Sequence, residues 1–291
     1  MTKNIHLEHP EDSILDGTLT VLDAFLNAFV LSVKYDGAPA IVWGQNPATG
    51  NQFVGTKSVF NKRKIKINEC HEDIDRNHEG PVAEILHACF DALPDTHRII
   101  QGDFIGFGGS AEYTPNTITY SFDEVQYSEI IVAPHTEYMA ENDLRDAVAS
   151  PLMVAPSSTE VCEFIMPDAF ADFGPIRDRI NFAKQMSTLV EFEDKKGATA
   201  LKKDLNAFIR DGDEIVPEQF ENYQLVRLWA LVKSIKDDAL KCCHHHEGPD
   251  AWIADEEIDA EGYVMHTEGG SWKLVNREEF SHANFNMGIT R

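Results

Sequence analysis

Two short apolar runs, Phe29-Val-Leu-Ser-Val33 and Ala40-Ile-Val-Trp43, stand on either side of Lys34-Tyr35-Asp36-Gly37. Runs of this length bounded by a polar, glycine-bearing segment read as buried strands, so the fold must carry a lysine and an aspartate at the rim of a sheet. A lysine so placed, followed by an aspartate and a glycine, has the arrangement a covalent lysine nucleophile needs. The amine attacks only after losing its proton, and a residue without Cβ leaves room for a nucleotide beside the backbone. The same four residues also make an ordinary exposed turn between strands.

Three later segments follow in a fixed order. Ile99-Ile-Gln-Gly-Asp-Phe-Ile-Gly-Phe-Gly108 is a strand ending in an acidic residue and glycines, Glu261-Gly-Tyr-Val-Met265 a strand opening with a carboxylate, and Trp272-Lys-Leu-Val275 a strand carrying a lysine. This succession resembles the covalent nucleotidyltransferases, namely the ATP-dependent DNA and RNA ligases and the mRNA capping enzymes. The resemblance covers mainly residues 28–110 and 255–280. It implies that Lys34 forms a lysyl-AMP intermediate, that Asp103 stands where the family usually has Glu, that Glu261 is the carboxylate of the fourth motif, and that Lys273 is a lysine of the fifth. Thr56-Lys57 lies where these enzymes have a basic residue, and Gly-Asp-Phe-Ile-Gly is similar to the Gly-Glu-Phe-x-Gly of nick-sealing RNA ligases. Ser128-Glu-Ile-Ile-Val132 falls where a further motif strand is expected but carries no diagnostic aromatic residue.

From the resemblance, the expected catalytic residues are Lys34, Asp36 and Lys273. ATP would be bound by Lys34, Gly37, Lys57, Asp103, Glu261 and Lys273, and Mg²⁺ or Mn²⁺ by Glu261 and Asp103. A leaving pyrophosphate needs its charge neutralised, which is the work of a carboxylate-held divalent ion and of a lysine near the α-phosphate. Asp36 would orient the amine or a metal-bound water. Taken singly, Glu261 and Asp103 also read as solvated strand ends, and Lys273 as a surface lysine. The implied fold is α+β: an ATP-grasp-like nucleotidyltransferase fold of antiparallel sheets flanked by helices. The implied activity is an ATP-dependent polynucleotide ligase that seals nicked RNA in preference to DNA. Such ligases are often encoded by bacteriophages and act in the cytoplasm, that of the host for a phage enzyme.

The departures shape the expectation. DNA ligases commonly have an arginine where this chain has Pro39, and many RNA ligases have a second lysine where it has Val275. Only residues 274–291 follow Lys273, too few for the appended OB domain of DNA ligases. A nucleotidyltransferase acting on an RNA cap, a protein or a small molecule is the alternative enzyme, and an inactive nucleotide-binding scaffold the alternative outside catalysis.

A formal charge of −24 repels nucleic acid as a whole. Against it stands one basic segment, Lys57, Lys62, Arg63, Lys64 and Lys66 with Phe60 among them, which can track a phosphate backbone with the aromatic ring stacked on a base. A solvated loop balancing local acidity is the other account of it. With 291 residues, 43% of them hydrophobic, the chain can bury a sizeable core. Five cysteines without CxxC spacing point to reduced thiols, and no apolar run is long enough to span a bilayer.

Amphipathic patterns predict helices near residues 18–28 and 81–93. Between residues 167 and 247 the pattern turns helical, over Pro175–Val190, Ala198–Arg210 and Pro217–Leu240. Residues 1–166 and 248–291 therefore read as two parts of the nucleotidyltransferase domain, with 167–247 a helical module inserted between them. Cys242-Cys-His-His-His246 holds metal-competent residues, but neighbours in sequence do not wrap one ion tetrahedrally, so it reads as a polar loop.

Overall fold

The computed structural model of the chain describes residues 7–27, 29–254 and 256–277. They gather into two units whose segments alternate along the sequence. Tyr35–Met166 and Gly248–Ile258 belong to one, while residues 7–34, Pro167–Glu247 and 259–277 belong to the other. Both mix helices with largely antiparallel sheet, so the α+β reading holds at the level of class. No helix among the described residues is long and apolar enough to cross a membrane.

The unit that carries Lys34 is built on a five-stranded sheet. Its strands are β1 (Val30–Lys34), β10 (Asp168–Ala171), β11 (Cys243–His245), β14 (Gly262–Thr267) and β15 (Gly270–Val275), in the order β11-β10-β1-β14-β15 and all antiparallel. Alternation divides β1 cleanly: Leu31 and Val33 are buried, whereas Ser32 and Lys34 are half-exposed. The helices are α1 (Pro10–Ser13), α2 (Thr20–Ala24), α5 (Arg177–Ser187), α6 (Lys195–Asp211) and α7 (Tyr223–Leu240). Local chemistry sets the ends of α6, where Asp194 accepts a hydrogen bond from the Gly197 amide at 2.7 Å and Gly212 closes the helix at φ +74°. Along α7 the buried positions Leu225, Leu228, Trp229, Val232, Ile235, Lys236 and Ala239 form a stripe of helical period, which packs α7 against α1, α5 and β15. The helical stretch therefore shares a core with the strands of Lys34, Glu261 and Lys273, rather than standing as a module of its own. Its ends also contribute strands, and the run expected to be a polar loop, Cys242–His246, contains the edge strand β11.

The other unit has two sheets. The larger is six-stranded, running β3 (Gln52–Gly55), β2 (Ala40–Gln45), β4 (Ile99–Phe107), β7 (Ile130–Met139) and β8 (Val148–Pro151), with β9 (Cys162–Phe164) added parallel to β7. One core cluster joins Ile41, Trp43, Ile100, Phe104 and Val132 to Ile74 of α3 (His71–Asn77) and to Leu86 and Cys89 of α4 (Pro81–Ala92). A second cluster gathers Val42, Phe53, Val59, Ile99 and Tyr138. With core on both sides, β7 is buried over Ile130–Pro134 without alternation. The smaller sheet pairs β5 (Glu112–Tyr113), β6 (Thr119–Ser121), β12 (Asp250–Ile253) and β13 (Glu256–Ile258).

Candidate active site

Within the five-strand unit, pairing of β1 with β14 sets Lys34 opposite Gly262, so Glu261 arrives beside the lysine from 227 residues away. The Lys34 Nζ donates to Glu261 Oε1. Lys34 is 28% exposed and Glu261 13%, so the pair is partly desolvated yet still reached by solvent. Gly262 holds φ +147°, and a Cβ there would lie 2.2 Å from the Leu274 carbonyl oxygen; the glycine after Glu261 is what lets β15 approach.

The register continues to Lys273, which pairs with Val264, itself paired with Ser32. Directly opposed residues share a face, as do residues two apart on one strand, so Lys34, Ser32 and Lys273 all lie on one face of the sheet. Burial holds the Lys273 ammonium below the usual lysine range, helped by the positive charges of Lys34 and Arg277 and opposed by Glu8 and Glu261. The same face carries a polar chain that sequence reasoning did not single out: Ser32 Oγ lies 3.0 Å from His266 Nε2, and His266 Nδ1 lies 2.9 Å from Ser271 Oγ. Its signal was present as polar residues at alternate positions in otherwise apolar strands, Ser32 with Lys34 and Ser271 with Lys273.

The remaining expected residues lie in the other unit. Asp36 has both carboxylate oxygens engaged, Oδ1 by the Asn116 side-chain amide and Oδ2 by the Thr117 backbone amide, each at 3.0 Å. Its own amide donates to the Tyr120 hydroxyl at 2.5 Å. Gly37 is needed for a reason other than the expected room for a nucleotide: a Cβ would sit 2.7 Å from both the Asp103 Cβ and the Phe104 carbonyl oxygen, so β4 itself fills that space. Asp103 shares a polar cluster on β4 and β7, with its Oδ1 3.8 Å from His135 Nε2. His135 in turn lies 3.3 Å from the side chain of Gln101, which accepts from the Tyr138 hydroxyl at 2.7 Å.

The basic segment divides. Lys57, Lys62, Arg63 and Lys64 are exposed, whereas Lys66 donates to the carbonyl of Asn77 at the end of α3. Phe60 is not presented to a base: its ring packs 4.2 Å from that of Tyr138, against the second core cluster. Among the described residues, no group of three or more His, Cys, Asp or Glu side chains is placed to hold a metal ion.

A family model described as Family of unknown function (DUF6267) matches residues 4–220 and, in a second match, residues 179–288. The chain belongs to that family. No curated protein and no solved structure matches it. For this member of DUF6267, the chemistry rests on the side chains just described.

Proposed function

We propose that the protein is an ATP-dependent polynucleotide ligase that works through a lysyl-AMP intermediate on Lys34. The observation that carries this reading is the Lys34–Glu261 pair with Lys273 on the same sheet face. Two ammonium groups beside one carboxylate leave an excess of positive charge, which an anionic phosphate relieves. The Lys34 amine, once deprotonated, attacks the α-phosphorus of ATP; the nitrogen–phosphorus bond forms as the bond to the bridging oxygen breaks, and pyrophosphate leaves. A polynucleotide 5′-phosphate then attacks the same phosphorus and frees the amine, and a 3′-hydroxyl displaces AMP. Lys273 offsets charge on the α-phosphate throughout. Magnesium sites formed with a nucleotide commonly take one or two protein carboxylates, and Glu261 supplies one oxygen ligand of that kind. A divalent ion held there would neutralise the departing pyrophosphate.

The acceptor is assigned as a nicked duplex on the strength of the exposed cations Lys57, Lys62, Arg63 and Lys64. The charge of −24 favours a second reading, in which the same lysyl-AMP is passed to a protein or a small molecule.

The test is incubation of the full chain with α-labelled ATP and Mg²⁺. Acid-labile label on the wild type and none on Lys34→Ala supports the reading. Label that persists in the variant, or no label with any nucleoside triphosphate, refutes it.

A further inference from the structure

The six-strand unit holds a symmetric arrangement that the nucleotidyl chemistry does not use. Helices α3 and α4 each carry a histidine and, four residues later, an aspartate: His71 with Asp75, and His87 with Asp91. Each histidine reaches for the aspartate of the other helix. His71 Nε2 lies 3.0 Å from Asp91 Oδ1, and His87 Nε2 lies 3.0 Å from Asp75 Oδ1. The two Nδ1 atoms meet 2.7 Å apart. The ring centres are 4.9 Å apart and the planes 19° from parallel. That separation is close to the Nδ1···Nδ1 distance plus two ring radii, so the rings meet edge to edge, nitrogen facing nitrogen.

The hydrogen count follows from the partners. A carboxylate only accepts, so each Nε2 carries its hydrogen. Two neutral imidazoles in that tautomer bring two bare lone pairs within 2.7 Å of each other, which is repulsive unless a cation lies between them. A proton fits that gap directly. A divalent transition-metal ion selects the same arrangement, because metal-bound histidines are held by a carboxylate on the distal nitrogen.

We propose that His71 Nδ1 and His87 Nδ1 form a binding site for a divalent transition-metal ion of the zinc or copper class, with Asp91 and Asp75 fixing the two rings. Metal–nitrogen bonds of about 2.0–2.1 Å at a tetrahedral angle set the nitrogens about 3.3 Å apart, so the rings must open by about 0.6 Å and each turn off the line joining the two nitrogens until both lone pairs meet at the ion. His71 is 45% exposed and His87 31%, which leaves room for water to complete the coordination. The charged groups facing the pair are Asp75 and Glu72 from α3 and Asp91 from α4, all favouring a cation. The other ring against His71 is Phe90, 5.1 Å away. A bound ion would link the two helices that cover the first core cluster.

The experiment titrates the full chain with ZnCl₂ while following histidine side-chain nitrogen resonances. Expected are shifts of His71 and His87 Nδ1 that are complete at one equivalent, with both Nε2 protons retained. His71→Ala and His87→Ala should each remove that equivalent, and Asp75→Asn or Asp91→Asn should weaken it about 10–100-fold. The histidines of Cys242–His246 report separately and give the background. The proposal is overturned if stoichiometric zinc leaves the His71 and His87 resonances unmoved, or if either alanine variant, folded by circular dichroism, binds undiminished.

Discussion

Glu11 offers a sharp test of how the five-strand unit is held together. Its carboxylate is fully buried, as is Lys236 on α7; Oε1 lies 3.4 Å from Lys236 Nζ and 3.1 Å from Arg277 Nη1. Arg277 Nη1 also donates to Asp12 Oδ1 at 2.9 Å, and Trp229 Nε1 donates to the same oxygen at 3.1 Å. Lys236 also has Asp237 Oδ1 at 3.0 Å and Asp12 has Lys202 at 3.8 Å, so the buried acids and bases sit in a wider network that reaches the surface. Replacing Glu11 by Leu leaves Arg277 with Asp12 and Lys236 with the half-exposed Asp237, and the buried counter-charge lost between them costs about 3–5 kcal/mol. That corresponds to a midpoint lowered by roughly 6–20 °C. Glu11→Leu combined with Lys236→Met restores the balance with apolar groups, and exchange of a whole buried pair is often nearly neutral. The double variant should therefore recover most of the loss, giving a coupling of about 3 kcal/mol in the double-mutant cycle. Chemical unfolding followed by tryptophan fluorescence and circular dichroism gives the four free energies. A double variant as unstable as the sum of the singles would refute the reasoning.

Gly37→Ala should destabilise by about 1–3 kcal/mol, because the new methyl must displace β4 backbone; an unchanged unfolding midpoint would contradict the close approach. His9 is held neutral, its pKa pushed far down by burial and then by the charges of Arg277, Lys273, Lys236 and Lys202. The folded state then binds fewer protons than the unfolded one, whose histidine titrates near about 6.5. Stability from this group is present above that pH and falls below it by up to about 1.4 kcal/mol per pH unit. Stability measured between pH 5 and 7 should fall more steeply with acid in the wild type than in His9→Gln, where His78 and His245, also lowered by burial, keep a smaller slope. Reversing Lys62, Arg63 and Lys64 to Glu should leave self-adenylylation near normal while impairing nick sealing, with a reduced salt dependence; unchanged sealing would move the acceptor away from nucleic acid.

What the sequence made legible was whatever depends on near neighbours. Gly80-Pro81 marks the start of α4, which runs Pro81–Ala92, close to the expected span. The α6 and α7 stripes likewise lie close to their expected spans. The helix expected near residues 18–28 shrinks to Thr20–Ala24, because Val21, Leu22 and Ala24 are buried in a turn-rich segment rather than along a sustained stripe. Distant pairings left no local trace. Nothing around Asp168 announces that β10 lies beside β1, and nothing around Asp36 announces Asn116 and Thr117 as its partners. Phe60 read as available because it sits among lysines, yet its ring meets Tyr138 from a strand far along the chain. In the candidate site the order of Lys34, Glu261 and Lys273 was visible, while the Ser32–His266–Ser271 chain on the same face emerges only from the register.

The central position of β1 in its sheet sets a timetable for synthesis. Its neighbours on one side, β10 and β11, and on the other, β14 and β15, all lie beyond residue 167, and Lys34 waits for Gly262, some 228 residues later (262 − 34). At about 5–20 residues per second, that interval lasts roughly 10–45 s on the ribosome. Until β10 emerges β1 has two unpaired edges, and until β14 emerges it still has one, with Leu31 and Val33 lacking their complete sheet. The six-strand sheet, whose strands all fall between Ala40 and Phe164, can be complete well before then. The nascent chain thus carries one finished sheet and one sticky, incomplete one, so unassisted translation exposes the lysine strand to capture by chaperones or by other β edges until the last described strands emerge.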